Sequence, residues 1–374
     1  MKLPDGWRKV LISDAFHIQL GKMLSPNAKI GEQCPYVTNF NVRWGYFHLQ
    51  QVNFMAFSEK EKEKYQLKKG DLLICEGGEI GRCAIWDKDH SGHYYQKSLH
   101  RLRPKNNLIF PPFLYHELRY LCLTRKLLNL VGESSIAHLP KEKLASVQIL
   151  CPSLPEQRRI AELLGTWDEA IEKLERLIAA KEKQQKVLSN HIFGQVKKQK
   201  FQQCRLVNIC TIHKGVQLGK LKMNAEGRYP VLNGGISYSG YTDSYNCEAN
   251  TIAISEGGNS CGFVNLIREK FWCGGHCYTL KNIRISMQYL FFFLKHRQDM
   301  LMNLRVGSGL PNIQKKDLEN VEVVFPIMEE EQNLFSEILL CTQNELDLLR
   351  KKLAALQKQK RGLMQKLLTG TWRV

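Results

Sequence analysis

Two long stretches of the chain repeat apolar residues in alternating steps of four and three, which is the heptad pattern of a helix seam. The seam positions are Ile160, Leu164, Trp167, Ile171, Leu174, Ile178, Leu188 and Ile192 in the first series, and Phe335, Leu339, Leu346, Leu349, Leu353, Leu356, Leu363 and Leu367 in the second. Prolines (Pro155, Pro326) precede the two stretches and glycines (Gly194, Gly370) follow them. This punctuation predicts two helices of roughly 36 residues, each on the order of 54 Å long.

The two seams match in length and register, and each shows a polar interruption in the same turn, at Gln185 and at Lys360. An apolar stripe left in water is costly, so we expect the two helices to pair within the chain. The first helix delivers the chain to a second globular segment, and the second helix must run back alongside it. The pattern therefore predicts an antiparallel pair with a globular domain at each end and an approximate two-fold axis.

The globular segments also repeat, because short landmarks return in the same order. Gln19-Leu20-Gly21-Lys22 returns as Gln217-Leu218-Gly219-Lys220, and Leu73-Ile74-Cys75-Glu76-Gly77-Gly78 returns as Ala253-Ile254-Ser255-Glu256-Gly257-Gly258. The first copy carries extra residues between Asn27 and Lys69. A shared framework with divergent intervening segments indicates one scaffold that presents two different recognition surfaces, although simple duplication with drift gives the same pattern.

The charge balance of the chain indicates what kind of partner it binds. The chain has 374 residues with 54 Lys+Arg against 36 Asp+Glu, a formal net charge of +18, which favours a polyanion such as nucleic acid. The excess lies mostly outside the two helices. Its 12 cysteines show no CxxC pair, and the chain starts at Met1-Lys2-Leu3-Pro4 without an apolar signal segment, so we expect a reducing cytoplasm and no membrane span.

Basic, polar and aromatic residues interleave in the globular segments. Lys and Arg can position phosphates, while Asn, Gln and Arg can contact base edges in the major groove. For any single residue a core aromatic or a solvated lysine is the more common role. The candidate DNA-binding residues are Lys22, Arg43, Trp44, Tyr46, Tyr94, Tyr95, Gln96, Lys97, Arg101, Lys220, Asn233, Tyr238, Tyr241 and Asn259.

Motifs for chemistry are not found in the sequence. Phe110-Pro111-Pro112-Phe113 lacks the Asn, Asp or Ser that an amino-methyltransferase needs before its Pro-Pro pair, and we interpret it as the entry to a helix from about Phe113 to Leu130. Gly21-Lys22 and Gly219-Lys220 do not form a phosphate loop. Glu76-Gly77-Gly78 and Glu256-Gly257-Gly258 are expected to be turns, and Cys273 to Cys277 is a weak metal candidate. We predict no catalytic residue and no metal.

Three segments resemble the specificity subunits of type I restriction-modification enzymes. They are Leu3-Pro4-Asp5-Gly6-Trp7, the opening of the first helix at Leu154-Pro155-Glu156-Gln157-Arg158-Arg159-Ile160-Ala161, and Gly362 to Gly370 at the close of the second. Together with the duplicated layout, the resemblance covers nearly the whole chain. The second helix opening, Met328-Glu329-Glu330-Glu331-Gln332, keeps only Glu-Gln of the first.

The resemblance implies an α+β protein with two tandem α/β target recognition domains, separated by two long antiparallel coiled-coil helices in a pseudo-two-fold repeat. The implied boundaries are a first recognition domain at 1–154, a central helix at 155–196, a second recognition domain at 197–328 and a distal helix at 329–374.

It also implies a non-catalytic subunit that binds double-stranded DNA at an asymmetric bipartite site, with a gap set by the helices. Two modification subunits and the restriction subunits would be its partners. S-adenosylmethionine, ATP and Mg²⁺ are expected on those partners and not on this chain. The alternative reading is a coiled-coil adaptor with two protein-binding domains, in which the positive charge only aids solubility.

Overall fold

Two compact units make up the computed structural model, which describes residues 3–24, 31–89, 92–131, 138–194, 200–224, 226–307 and 311–374. The first unit combines Met1–Glu175 with Lys352–Val374, and the second is the continuous segment Arg176–Lys351. Each unit holds one copy of the repeat together with part of each long helix. The four-part division into domains and helices expected from the sequence stays a prediction.

Three small sheets build the globular part of the first unit. Its strands are β1 (Arg8–Leu11), β2 (Phe16–Leu20), β3 (Glu32–Val37), β4 (Asn53–Phe57), β5 (Leu72–Cys75), β6 (Cys83–Ile85), β7 (Tyr94–Tyr95), β8 (Leu99–Pro104) and β9 (Gln148–Cys151), and its helices are α1 (Ile12–Ala15), α2 (Glu59–Tyr65), α3 (Pro111–Leu123), α4 (Lys126–Val131), α5 (Lys141–Ala145) and the start of α6 (Leu154–Phe193). The sheet orders are β2-β8-β5-β6, β4-β3-β7 and β1-β9. Strand β5, buried along its whole length, lies inside the largest sheet.

The second unit repeats this arrangement. Its strands are β10 (Phe201–Arg205), β11 (Thr211–Lys214), β12 (Tyr229–Leu232), β13 (Gly240–Thr242), β14 (Thr251–Ser255), β15 (Val264–Ile267), β16 (Trp272–Cys273), β17 (Cys277–Lys281) and β18 (Glu322–Pro326), and its helices are α7 (Leu206–Ile209), α8 (Met287–His296), α9 (Gln298–Asn303), α10 (Lys315–Glu319) and the start of α11 (Glu329–Leu368). The sheet orders, β11-β17-β14-β15, β13-β12-β16 and β10-β18, correspond strand by strand to those of the first unit. The tandem repeat predicted from the landmarks is therefore present in the fold.

The main structural difference between the copies lies where the sequence carries its extra residues. Helix α2 follows β4 in the first unit, and the described part of the second unit has no helix between β13 and β14. Ser58 begins α2 in a capping box with Glu61. The repeated Glu-Gly-Gly segments form turns after β5 and β14, with positive φ at Gly78 and Gly258.

The two long helices run antiparallel in each unit. Each has 40 residues, a little longer than expected, or about 60 Å. In the first unit Asp168 of α6 meets Lys360 of α11, and Glu175 meets Gln357. In the second unit Glu182 meets Arg350 and Gln185 meets Thr342. Partners on α11 come earlier in the chain as those on α6 come later, which is the antiparallel direction.

All sixteen predicted seam residues are buried or half-buried, from Ile160, Leu339 and Leu367 in the interior to Leu353 and Leu356 at partial exposure. Some apolar residues off the seam lie outside, among them Val187 and Leu348, which are 61% and 66% exposed. Others near the helix ends, Ala161, Phe193, Met364 and Leu368, are buried in the globular cores. The heptad spacing thus identifies the buried face along the middle of each helix but not the extra burial at its ends.

The helix predicted from Phe113 to Leu130 is wrong as one element. The prolines do begin a helix, α3, but it ends at Leu123, and α4 begins at Lys126. Arg125 lies between them with φ 58°, in the left-handed region. Thr124 donates its hydroxyl to the carbonyl of Tyr120, which satisfies a carbonyl at the end of α3.

The segment after α11 packs back onto the first unit. Arg373 binds the buried carboxylate of Glu156 through two hydrogen bonds of 2.5 and 2.7 Å and also donates to the carbonyl of Asp5. Glu156 stands in the first turn of α6. The last residues of the chain therefore hold the N-terminal segment and the start of α6 together. None of the described helices is long and apolar enough to cross a membrane.

Candidate nucleic-acid interface

The two units present different loops at the same place in the fold. In the first unit residues 38–52 connect β3 to β4, and in the second unit residues 233–239 connect β12 to β13. Both connections join the first two strands of a three-stranded sheet. The first loop is about twice as long as the second, and the two share no sequence pattern.

A buried asparagine fixes the shape of loop 38–52. The Asn41 side chain donates to the carbonyls of His48 and Gln51 at 3.0 and 2.8 Å, and its oxygen accepts from the backbone N–H of Thr38 at 2.9 Å. These bonds tie both arms of the loop to one amide. Phe40 and Tyr46 lie on its outer surface, 78% and 55% exposed.

Arg43 and Trp44 stand half-buried in this loop. Arg43 donates to the carbonyls of Phe40 and Val42, so its guanidinium is partly occupied within the loop. Trp44 donates its indole N–H to Glu79 at 2.8 Å and packs edge-on against Tyr115 of α3. Of the three predicted residues in the loop, Tyr46 is the most accessible.

Four other predicted residues of the first unit are buried and support its fold. Lys22 donates to the carbonyl of Ala56 and to Glu61 at 2.6 and 2.7 Å, which anchors α2. Tyr94 and Tyr95 form the buried strand β7, and burial raises the pKa of Tyr95. Arg101 donates to the carbonyls of Lys64 and Gln66. We leave these four out of the residues proposed to contact bases.

The remaining predicted residues of the first unit follow β7. Gln96 is half-buried and accepts a hydrogen bond from the backbone N–H of Ser98, while Lys97 is exposed. The backbone N–H of Gln96 donates to the carbonyl of Val37, the last residue before loop 38–52. Lys97 therefore lies two residues beyond the strand that pairs with the base of the loop.

Loop 233–239 of the second unit is held by hydrogen bonds between its backbone and neighbouring side chains. The N–H of Gly234 donates to the Sγ of Cys277 at 3.0 Å, and its carbonyl accepts from the hydroxyl of Ser260. Tyr238 and Tyr241 are 38% and 39% exposed and meet edge-on. Partial burial and a 3.0 Å hydrogen bond to Glu269 raise the pKa of Tyr238 to about 12, so its hydroxyl stays protonated at neutral pH.

Sequence reasoning missed a basic and aromatic cluster beside this loop. Lys270 donates to the hydroxyl of Tyr245 and stands 4.3 Å from the centre of its ring. Tyr245 in turn packs against Tyr229, over which the guanidinium of Arg228 lies at 5.4 Å. Tyr245 ends the run of aromatic and polar residues from Tyr238, so the sequence pattern could have identified it. Lys270 and Arg228 lie too far along the chain to be linked to it by pattern.

The last three predicted residues of the second unit do not form one group. Asn259 is exposed in the turn after β14, whereas Asn233 is half-buried and its side-chain oxygen has no hydrogen-bond partner among the described residues. Lys220 begins a 3-10 turn, and its side chain lies outside the described part of the structure. No three His, Cys, Asp or Glu side chains of the described residues are grouped to hold a metal, and Cys273 and Cys277 are buried.

Known proteins similar to the chain share its full layout. A solved type I restriction-modification S subunit from M. genitalium matches with a TM-score of 0.71 at 20% identity, over 98% of each chain. A structure from a study of complex assembly and conformational transition of the type I system matches with a TM-score of 0.61 at 18% identity, over 98% of this chain and 99% of that one. At these identities the likeness shows the fold.

Curated relatives match by sequence. A putative type I specificity subunit of Mycoplasma genitalium is 32% identical over 139 residues, which is 36% of this chain and 36% of that protein, so this match spans about a third of the relative's length. A putative type I restriction enzyme specificity subunit of Methanocaldococcus jannaschii is 25% identical over 84% of this chain and 81% of that protein. The family model for the type I restriction modification DNA specificity domain matches twice, at residues 4–182 and 198–358. The chain belongs to the family of type I restriction-modification specificity subunits.

Proposed function

We propose that this chain is the DNA-reading subunit of a type I restriction-modification enzyme and recognises an asymmetric bipartite site, one half-site for each unit. One observation carries the proposal: the two units have the same strand order but place different loops, 38–52 and 233–239, on the same sheet connection. Two units that share one scaffold but differ in their exposed loops are suited to recognise two different DNA sequences.

Both loops offer the chemistry that DNA reading requires. Loop 38–52 exposes Tyr46, His48 and Gln50, and loop 233–239 leads to Tyr241 with Lys270 nearby. Amide and hydroxyl groups can donate to and accept from base edges, while lysines and arginines hold the phosphates. The net charge of +18 supplies the general attraction to a polyanion.

In this proposal the chain directs other subunits and has no catalytic role of its own. Two modification subunits would carry S-adenosylmethionine and methylate adenine, and restriction subunits would supply ATP-driven translocation and cleavage in the cytoplasm. The match to a structure from a study of type I complex assembly supports such partners. The antiparallel helices would set the gap between the half-sites, so removal of one heptad from both should shorten the gap and leave each half-site unchanged.

Methylation mapping tests the proposal most directly. The chain is expressed with its modification partner, methylated adenines are mapped, and residues 233–239 are then replaced by a Gly/Ser segment of equal length. We expect one half-site to lose its sequence preference while the other is kept. Replacement of residues 38–52 should do the reverse, and Val207→Ala, at an exposed residue of α7, should change neither.

Three outcomes would contradict the proposal. Equal loss of both half-sites on either replacement would show that the loops do not read separately. The absence of any salt-sensitive, site-preferring DNA interaction in the assembled complex would favour the adaptor alternative. Methyl transfer by the isolated chain would show that it is itself an enzyme.

A further inference from the structure

A polar hollow of about 520 Å³ lies along β2, the edge strand of the four-stranded sheet of the first unit. Its polar lining consists mainly of His17 and Gln19 from β2, Arg101 and Arg103 from β8, Lys105 after β8, and Lys141 at the start of α5. Among the described residues that line it, none is an aspartate or a glutamate. The lining is therefore strongly cationic.

Strand register explains why these side chains share one face. His17 pairs with Arg103 and Gln19 with Arg101, while Ile18 and Leu102 form the pair between them. Side chains alternate across a strand, so the polar pairs point to the face opposite Ile18 and Leu102. Leu102 is fully buried in the core, which leaves the polar pairs on the opposite face, where Arg101 donates to the carbonyls of Lys64 and Gln66.

The charges in the hollow are only partly balanced. Asp71 neutralises Arg103 through two hydrogen bonds of 2.7 and 2.6 Å. Arg101 has only carbonyl acceptors, and its buried Nε has no hydrogen-bond partner among the described residues. Lys105 donates to the carbonyl of Ser13, and Lys141 is exposed. Three cations thus converge on one hollow without a carboxylate of their own.

The repeated four-stranded sheet does not require Arg101. Arg101 pairs with Leu73 of β5, and in the second unit the corresponding residue, which pairs with Ala253 of β14, is Thr279. Leu73 and Ala253 are equivalent in the repeated landmark. The second unit therefore builds the same sheet with a neutral hydroxyl in place of Arg101. Cations that line one hollow, with no carboxylate in its described lining, make that hollow attractive to an anion.

We propose that this hollow is a phosphate-binding site of the first unit and that the backbone of bound DNA supplies the phosphate. The source of the phosphate rests on the proposed function, whereas the site itself rests on the charge and shape of the hollow. Lys105 and Lys141 are the residues that contact the phosphate, because their ammonium groups lie at the exposed part of the lining. Arg101 adds fixed positive charge beneath them.

The test uses Lys105→Gln, Lys141→Gln and the double variant of the full chain, assembled with its modification partner. The affinity for the methylation site is measured from low to high salt. Each phosphate contact contributes about 0.9 to the slope of log K against log salt, so we expect the slope to fall by about 1 in each single variant and about 2 in the double variant. Lys173→Gln, at an exposed lysine of α6 outside the hollow, should leave the slope unchanged.

A second arm uses inorganic phosphate and the chain alone, and follows backbone amide NMR shifts of residues 17–19 and 101–105 in the wild type and the double variant. A smaller salt slope in the lysine variants than in the wild type would show that the DNA backbone supplies the phosphate. Shifts that vanish in the double variant with an unchanged slope keep the phosphate site but overturn DNA as its source. Unchanged slope and unchanged shifts overturn the proposal. If the wild-type assembly binds no DNA, the proposed function fails, and the phosphate titration still decides whether the site exists.

Discussion

Polar residues interrupt the helix seam in both units, with different chemistry. In the first unit the carboxylate of Asp168 meets Lys360 and also accepts from Arg119 of α3 at 2.6 Å. In the second unit Gln185 donates to Thr342 and Gln343, each at 3.2 Å. Under the shift that aligns the two heptad series, Gln185 corresponds to Lys360 and Gln343 to Asp168. One unit therefore carries a charged contact where the other carries a neutral one.

This position of the helix pair therefore does not require a charged contact. Lys360 is 3% exposed, and burial lowers its pKa to about 8, helped by repulsion from Arg119 and opposed by attraction to Asp168. Burial likewise lowers the pKa of the neighbouring His116 to about 3, so this imidazole is neutral. The pKa of Lys360 is lowered because the loss of water around its ammonium group outweighs the attraction to Asp168, as is common for buried ion pairs.

The largest effect is expected from Asp168→Asn. It leaves two cations, Lys360 and Arg119, without a carboxylate in the interior of the first unit, and loss of one partner of a buried pair costs about 3–5 kcal/mol. The free energy of unfolding from urea titration measures it. The matched change in the second unit, Gln343→Met, removes the neutral hydrogen bond from Gln185 and an exposed one to Asp347, leaves no buried charge unpaired and should cost about 1 kcal/mol. Equal losses in the two variants would show that charge does not distinguish the contacts.

A smaller, pH-dependent effect is expected from Lys360→Met. The unfolded lysine has its ordinary pKa of 10.5 and the folded one about 8, so the unfolded chain binds more protons between these values. The free energy of unfolding of the wild type should therefore rise with pH through this window, by at most about 1.4 kcal/mol per pH unit, relative to the variant.

Urea titrations of both proteins at pH 7.5, 8.5 and 9.5 measure this difference. Burial also lowers the pKa of Lys295 in the second unit to about 8, but that residue is present in both proteins and its contribution cancels. Parallel pH profiles for the two proteins would show that Lys360 does not titrate in this window.

The smallest effect is expected from the neutral contact. Gln185→Leu with Gln343→Leu replaces both glutamines of the contact with apolar groups on a mainly apolar seam, while Thr342 keeps its hydrogen bond to the carbonyl of Leu339. Such replacement is close to neutral or stabilising, and we expect a change within about 1 kcal/mol by the same titration. A loss of several kcal/mol would instead show that the hydrogen bonds to Thr342 are essential to the seam.

The sequence predicted the elements that depend on periodicity. The heptad series predicted both long helices and their seam, since a buried stripe leaves a regular trace along a helix. Asp168 was not identified because it stands beside Trp167, off the seam series, and only packing brings it to Lys360. The break at Arg125 was also missed, because a single left-handed residue leaves no mark in the hydrophobic pattern.

The candidate interface could be predicted only in part. Mixed basic and aromatic runs occur both on DNA-binding loops and on sheet faces that another element covers. Lys22 and Arg101 belong to the second kind, because α2 and the residue after it provide their hydrogen-bond acceptors. The described part of the second unit has no counterpart of α2, so the sequence repeat could not predict this helix. Partners distant in sequence, such as Lys270 for Tyr245, require the fold to be known.

The packing of Arg373 onto Glu156 has a consequence for how the protein is made. The second unit is one continuous segment, whereas the first needs Lys352–Val374 to cover the start of α6. A ribosome therefore finishes every residue of the second unit before it supplies the piece that completes the first. The first part of the first unit therefore waits for Lys352–Val374 before it reaches its final structure, and until then the apolar face at the start of α6 stays available to chaperones.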